Sequence, residues 1–215
     1  MKVLTLMGKG GSGKSTTGLH LAHASHAAGH RVLLIDADPQ GSLTAWSKLR
    51  GSNDILVKPT EPEQVEAILG KAARLGYDFA IIDNAPIMNA HSAAIARHSD
   101  IVIVPTRVSF FDLRVALDWV SWLQTVGRRF AVVINAAPAM REGQESPLVR
   151  DARRALNSAG AAVWRRQITQ RHVIIAAAAS GRSVAELAPF GAAAAEYEAL
   201  WNSLGRAVGE ERKAS

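Results

Sequence analysis

Short apolar runs alternate along the chain with longer stretches in which apolar residues recur at helical spacing. Several runs, such as Arg31-Val32-Leu33-Leu34-Ile35, are almost continuously apolar, as in strands that are covered on both faces. This alternation is typical of βαβ units and a parallel sheet. The predicted strands cover residues 2–7, 31–36, 55–58, 79–83, 101–105, 130–135 and 162–168. The predicted helices cover residues 14–28, 41–50, 61–75, 89–97, 112–126, 146–158, 171–179 and 191–208.

The predicted architecture is α/β, with a mostly parallel, twisted sheet of about seven to eight strands and helices on both faces. Residues 1–208 contain no linker or repeat, so we expect one domain, and we expect the charged tail 209–215 to be disordered. No apolar run approaches the roughly 20 residues that span a bilayer. Since Met1 and Lys2 lead directly into a strand, with no signal-peptide pattern, we expect a cytoplasmic protein.

A phosphate-binding loop follows the first predicted strand, because the residues after Met7 satisfy the pattern G-x-x-x-x-G-K-[ST]. Glycines let successive backbone N–H groups surround a polyphosphate, and the next helix points its positive end at the same anion. In such a loop Lys14 reaches the β- and γ-phosphates, and the Ser15 hydroxyl ligates Mg²⁺. The pattern predicts a nucleoside triphosphate site in a P-loop NTPase fold. The predicted cofactor-binding residues are Gly8, Lys9, Gly10, Gly11, Ser12, Gly13, Lys14, Ser15 and Thr16.

A second motif is an apolar strand that closes on an acid, Phe79-Ala80-Ile81-Ile82-Asp83. This is the Walker B pattern. Asp83 is predicted to hold Mg²⁺ through a water molecule, because Mg²⁺ keeps much of its hydration shell. The run alone is a weak signal, and it gains weight by following the phosphate-binding loop along the chain.

The net charge is +6, and it is concentrated in one part of the chain. Between Met140 and Arg182, eight arginines against three acidic residues leave +5. Arginine forms bidentate bonds to phosphate, so this stretch indicates a polyanionic partner or, alternatively, a solvated basic surface. The absence of cysteine excludes disulfides, a thiol nucleophile and a cysteine-ligated metal.

Lys9, a second lysine within the loop, extends the motif to K-G-G-x-G-K-[ST]. With Asp36-Ala37-Asp38-Pro39-Gln40-Gly41 and the closing segment 180–189, it resembles the deviant Walker A ATPases of the ParA/MinD family, most closely the small ParA-like partition ATPases. The resemblance covers nearly the whole chain. It implies that Lys9 reaches the nucleotide of a partner subunit, that Asp38 orients the attacking water and that Asp36 supports the Mg²⁺ shell. The D-x-D pair could instead start a helix. The implied catalytic residues are Lys9, Lys14 and Asp38, and the implied metal-binding residues are Ser15, Asp36 and Asp83.

The resemblance also indicates which residue contacts the adenine base of the nucleotide. Asn135 ends the apolar run 130–134, where relatives place an asparagine that reads adenine, and an amide offers both a donor and an acceptor. An asparagine tolerated in a turn is the alternative. The chain departs from the family after Asp83, where D-T-P-P is usual and this sequence continues Asn84-Ala85-Pro86-Ile87.

The function implied by the resemblance is that of an ATP-driven homodimer that coats non-specific DNA. A ParB-like or other adaptor stimulates its slow, Mg²⁺-dependent ATP hydrolysis, and a plasmid, chromosome or other cargo is positioned on the nucleoid. The predicted DNA-binding residues are Arg153, Arg154, Arg165, Arg166 and Arg171.

Two other functions stay open. A MinD-like membrane regulator needs a basic amphipathic C-terminal helix, whereas segment 196–211 is rich in glutamate, so no stable membrane binding is expected. A kinase- or ligase-type enzyme with a small-molecule acceptor also has a P-loop.

Four histidines, at positions 20, 23, 26 and 30, fall on one side of the first predicted helix. They spread over roughly 120° of its circumference, which is too wide for one metal ion. We expect this side of the helix to face solvent.

Overall fold

Successive side chains of the first strand enter two different hydrophobic cores, as the two-residue period of a strand requires. In the computed structural model, which describes residues 1–209, Leu4 and Leu6 lie in one core. Val3 and Met7 lie in the other. The sheet is therefore covered on both faces, as the continuous apolar runs predict.

Six strands form the sheet within residues 1–209, and every neighbouring pair is parallel. Their order is β3-β2-β4-β1-β5-β6. The carboxyl ends of all six therefore meet at one edge, which is where open α/β sheets bind ligands. The strands are β1 (Lys2–Leu6), β2 (Val32–Ala37), β3 (Leu56–Pro59), β4 (Phe79–Asn84), β5 (Ile101–Thr106) and β6 (Phe130–Ile134).

Helices form a layer on each face of the sheet. The helices are α1 (Lys14–Ala27), α2 (Ser42–Arg50), α3 (Val65–Arg74), α4 (Ala90–His98), α5 (Phe110–Val126), α6 (Pro147–Ser158), α7 (His172–Ala179), α8 (Val184–Leu187) and α9 (Ala192–Val208). Buried side chains of α1, α2, α7, α8 and α9 pack in the core that contains Leu4. Those of α3, α4, α5 and α6 pack in the core that contains Val3.

The predicted strand 162–168 is not a regular strand. The segment runs beside β6 and the residues that follow β6, with two isolated parallel bridges, Val132–Val163 and Ala137–Thr169. Between them the Arg153 guanidinium donates hydrogen bonds to the backbone carbonyls of Trp164 and Arg166. A side chain thus bonds to carbonyls that a continuous ladder would need, and the described sheet has six strands rather than seven or eight.

The other predicted elements begin and end within two residues of the observed ones, if the 3₁₀ turn Pro62–Gln64 is counted with α3. Helix α8 was not predicted, because one turn gives too little periodicity to detect. Gly209 ends α9 in the left-handed conformation, with a φ of 71°. The rest of the tail predicted to be disordered, 210–215, lies outside the described residues. Among residues 1–209, no helix has both the length and the apolar character that are needed to cross a bilayer.

Candidate nucleotide-binding site

The phosphate-binding loop connects β1 to α1 at the carboxyl edge of the sheet. Gly8 and Gly13 have φ values of 139° and 98°, which side chains with a Cβ rarely adopt. No side chain within residues 1–209 caps the N terminus of α1. The backbone N–H groups of its first turn are therefore available to an anion, which the helix dipole also favours.

Lys14, the first residue of α1, lies almost buried in this loop, with 6% of its surface exposed. Its Nζ lies 3.4 Å from the carbonyl oxygen of Lys9. Burial lowers the pKa of Lys14, while the nearby carboxylates of Asp83 and Asp38 oppose that shift. The ammonium group has few protein partners for its charge, and a polyphosphate in the loop would supply one.

Asp36 and Asp83 end neighbouring strands and are directly paired in the register of β2 and β4. Ser15 Oγ donates a 2.5 Å hydrogen bond to Asp83 Oδ2. Asp36 Oδ2 accepts hydrogen bonds from the Thr44 backbone N–H and hydroxyl, at 2.8 and 2.7 Å. The three predicted metal-binding side chains therefore stand at one edge of the sheet.

The remaining oxygen of each carboxylate suits a magnesium ion. Asp36 Oδ1 and Asp83 Oδ1 are both buried and have no hydrogen-bond partner within residues 1–209. Burial raises the pKa of Asp83 to about 7, although Ser15 and Lys14 oppose the shift. No group of three His, Cys, Asp or Glu side chains able to hold a metal occurs in residues 1–209. Mg²⁺ usually needs only one or two carboxylates, because water and substrate phosphates complete its shell. The residues present therefore fit Mg²⁺ with a nucleotide.

Asp38 follows β2 at the same edge and is half-buried. Its Oδ1 accepts a 3.0 Å hydrogen bond from the backbone N–H of Gln40, which orients the carboxylate. Its role in orienting the attacking water stays a prediction.

Lys9 forms an ion pair with Asp112, with 2.7 Å between Nζ and Oδ1. Asp112 lies in the first turn of α5, where Ser109 caps the helix and donates a hydrogen bond to its carboxylate. Burial alone would raise the pKa of Asp112, but the hydrogen bonds from Lys9 and Ser109 outweigh it and lower the pKa. The predicted helix 112–126 begins at Asp112, so the sequence leaves two roles open for this residue, an N-cap or a functional group. The structure places the N-cap at Ser109 instead. Its contact with Lys9, 103 residues away, has no sequence signal.

Asn135 is 7% exposed, and its side-chain amide contacts the phosphate-binding loop. Nδ2 donates a 2.7 Å hydrogen bond to the carbonyl oxygen of Ser12. The sequence predicted an adenine contact, which stays a prediction, and it did not predict this bond to the loop.

The residues after Asp83, where the sequence departs from the family pattern, form a hydrogen-bond network with α4. Asn84 is buried and donates 3.0 Å hydrogen bonds to the Ala85 carbonyl and to Ser92 Oγ. Ser92 Oγ in turn donates to the Ile87 carbonyl at 2.5 Å. The segment between β4 and α4 is thus fixed by bonds to the first turn of α4.

The five predicted DNA-binding arginines fall into two groups. Arg153 is bonded to Glu145 as well as to the two carbonyls beside β6, and Arg171 pairs with Glu196 at 2.7 Å. Arg154 has a 78% exposed side chain and a single 3.4 Å pair, with Asp151. Arg165 and Arg166 are exposed and form no ion pair within residues 1–209. We refer to Arg154, Arg165 and Arg166 as the exposed arginines.

The prediction that the four histidines face solvent is wrong for His20, which lies in α1, and for His30, which lies beyond the end of α1. His20 is 2% exposed and stacks on Tyr197, with 4.2 Å between ring centroids. His30 is 5% exposed and lies against Phe79 and Trp201. The reason is that α9 covers this side of α1, and burial lowers the pKa of His20 to about 3.

The sequence of this chain is similar to those of known nucleotide-binding proteins. The family model of the CobQ/CobB/MinD/ParA nucleotide-binding domain matches residues 3–187. The maintenance of carboxysome distribution protein A of Gloeobacter kilaueensis is 38% identical over 122 residues, 55% of this chain and 54% of that protein. The chromosome partitioning protein ParA of Caulobacter vibrioides is 30% identical over 147 residues, 49% of this chain and 55% of that protein. The chain thus spans about half the length of these two relatives.

Among solved structures, an ATP complex of McdA from Cyanothece superposes with a TM-score of 0.78 at 17% identity. The superposition covers 100% of this chain and 99% of that one. At this identity the likeness shows a common fold.

Proposed function

The chain belongs to the CobQ/CobB/MinD/ParA family of nucleotide-binding domains, and on this premise we propose that it is an ATP-dependent switch. With ATP bound, two copies associate, and the dimer binds DNA without sequence preference. Slow hydrolysis of ATP to ADP and phosphate reverses the association. The switch positions a plasmid, a chromosome or another cargo, and it acts in the cytoplasm on nucleoid DNA.

The observation that carries this proposal is the cluster of polar and charged side chains at the carboxyl edge of the sheet. Lys14 and the uncapped first turn of α1 bind the phosphates, while Ser15, Asp36 and Asp83 hold the cation. A bound Mg²⁺ neutralises charge that develops on the phosphates. Asp38 orients the attacking water. A single carboxylate is a weak catalyst, so hydrolysis is slow until an adaptor protein of the ParB type, or another partner, stimulates it.

Lys9 supplies the link between nucleotide and dimer. Its side chain is 37% exposed at the nucleotide edge and pairs with Asp112 of its own chain. To reach a nucleotide in a second copy it must leave Asp112. Asp112 is buried and keeps its hydrogen bond from Ser109 when Lys9 leaves, so a phosphate of the second copy can replace the carboxylate as the partner of the more exposed lysine.

The exposed arginines supply the contact with DNA. Arginine binds phosphate in a bidentate manner, and phosphate contacts release counterions regardless of base sequence. Association doubles the number of these contacts, so the dimer binds much more tightly than the monomer. Helix α9 contains Glu196 and Glu198 against one basic residue, Arg206, which disfavours binding to an anionic membrane surface.

Light scattering in the presence of Mg-ATP or Mg-ADP tests the switch. We expect the wild-type protein to dimerise with Mg-ATP alone. Lys9→Ala is expected to bind a fluorescent ATP analogue but remain monomeric, whereas Lys14→Ala is expected to do neither. A dimer that forms equally with ADP, or that survives Lys9→Ala unchanged, would contradict the proposal.

A further inference from the structure

Asn135 joins two parts of the nucleotide edge that are far apart in the chain. It follows β6, and its backbone N–H donates a 2.7 Å hydrogen bond to the Thr106 carbonyl at the end of β5. Its side chain reaches across to Ser12, 123 residues away, where Nδ2 donates at 2.7 Å to the carbonyl oxygen. The amide is therefore anchored on the sheet and bonded to the loop.

The fit between this amide and the loop is close. A Cβ added at Gly13 would lie 2.1 Å from Asn135 Nδ2, far inside van der Waals contact. Gly13 also has a φ of 98°, so both its backbone conformation and the position of Asn135 require glycine. The space that a side chain would fill at position 13 is occupied by the amide.

The bond to Ser12 also fixes the peptide group that follows it. The carbonyl of Ser12 and the N–H of Gly13 belong to one planar trans peptide, so they point in opposite directions. Holding the carbonyl towards Asn135 therefore turns the Gly13 N–H away from it. Within residues 1–209 this N–H donates to no backbone carbonyl, so it is available to an anion.

We propose that Asn135 is a positioning residue of the phosphate-binding loop, which acts by aiming the Gly13 N–H at a bound polyphosphate. This inference rests on the proposed nucleotide function and extends it, because the expected role of Asn135 was to read the adenine base. The two roles differ in one respect. A base reader has no effect on a ligand without a base, whereas a positioning residue affects any polyphosphate.

Calorimetric titration of the full chain with Mg-tripolyphosphate and with Mg-ATP separates these roles. In Asn135→Ala we expect both affinities to fall by about fivefold to tenfold, the effect of one hydrogen bond. Asn135→Ser, whose hydroxyl is too short to reach Ser12, should behave in the same way and provides a second variant if the first folds poorly. Hydrogen exchange of the peptide covering residues 8–16 should be faster in both variants.

Gln167→Ala is the matched control. Gln167 is also a buried amide, 3% exposed, which donates to the Pro138 carbonyl rather than to the loop. We expect this variant to lose stability but to bind tripolyphosphate like the wild type. Unchanged tripolyphosphate affinity in Asn135→Ala, with weaker ATP binding, would overturn the positioning role and leave the nucleotide function intact. A wild-type protein that binds neither probe would overturn both.

Discussion

At the scale of single residues, the nucleotide edge contains buried carboxylates whose charge Lys14 offsets only in part. Asp83 is fully buried, Asp36 is 3% exposed, and each has one carboxylate oxygen without a partner within residues 1–209. Burying unpaired charge costs stability. Such an arrangement is typical of a site that binds a charged ligand, where function outweighs local stability.

This cost predicts a pH-dependent effect of Asp83→Asn on the nucleotide-free protein. The pKa of Asp83 is raised from 3.8 to about 7, so the folded state holds a proton between these values that the unfolded state has lost. Wild-type stability therefore decreases as pH rises through this window, and above pH 7 the buried carboxylate is charged. Asparagine has no such charge. We expect the stability of the variant relative to the wild type to be roughly 2 kcal/mol greater at pH 8 than at pH 5.5.

Thermal unfolding at the two pH values measures this difference. Added Mg-ATP should stabilise the wild type at pH 8 and have a much smaller effect on the variant. A stability difference that does not change between pH 5.5 and 8 would show that the charge of Asp83 does not determine it.

At the scale of elements, the arginines of the arginine-rich stretch occupy two different environments. Arg153 is 18% exposed and joins α6 to Glu145 and to the segment beside β6. Arg154, its neighbour in the same helix, points into solvent. Charge density in the sequence cannot separate these adjacent residues, because the difference depends on which side of α6 faces the protein.

Substitution of Arg153 should therefore lower stability, whereas substitution of Arg154 should weaken DNA binding. Arg153→Ala removes hydrogen bonds to a half-buried carboxylate and to two carbonyls, so we expect it to lower the free energy of unfolding by about 2 to 3 kcal/mol. Arg154→Ala should leave stability nearly unchanged and weaken DNA binding equally for all sequences. Chemical denaturation and DNA titration of both variants test this. Loss of DNA affinity in a fully stable Arg153→Ala would reverse the assignment.

The parts of the structure that the sequence predicts correctly are those set by neighbouring residues. Apolar runs place the six strands, and the loop motif places Lys14 and Ser15, because each pattern is read within a few positions. The contacts Lys9–Asp112 and Asn135–Ser12 join residues 103 and 123 positions apart, and they depend on how distant strands align. The buried His20 shows the same limit, because helical spacing does not reveal which side α9 covers.

At the scale of the whole molecule, the proposed association of two copies is what would link DNA binding to the nucleotide site. Each copy contributes Arg154, Arg165 and Arg166, so the proposed dimer would present six of these arginines to DNA. If all six contact phosphate, the logarithm of DNA affinity should fall with the logarithm of salt concentration at a slope of about −5. A monomer has half as many contacts, and its affinity is correspondingly weak and less sensitive to salt.

The most direct test of this account is binding to a random-sequence DNA duplex at low and moderate salt, with ATP, ADP or no nucleotide. We expect tight binding with ATP alone, which weakens steeply with salt and is lost in Lys14→Ala. A variant with all three exposed arginines replaced by alanine should dimerise with ATP but not bind DNA. Binding that is equal in all three nucleotide states, or absent from all of them, would contradict the account.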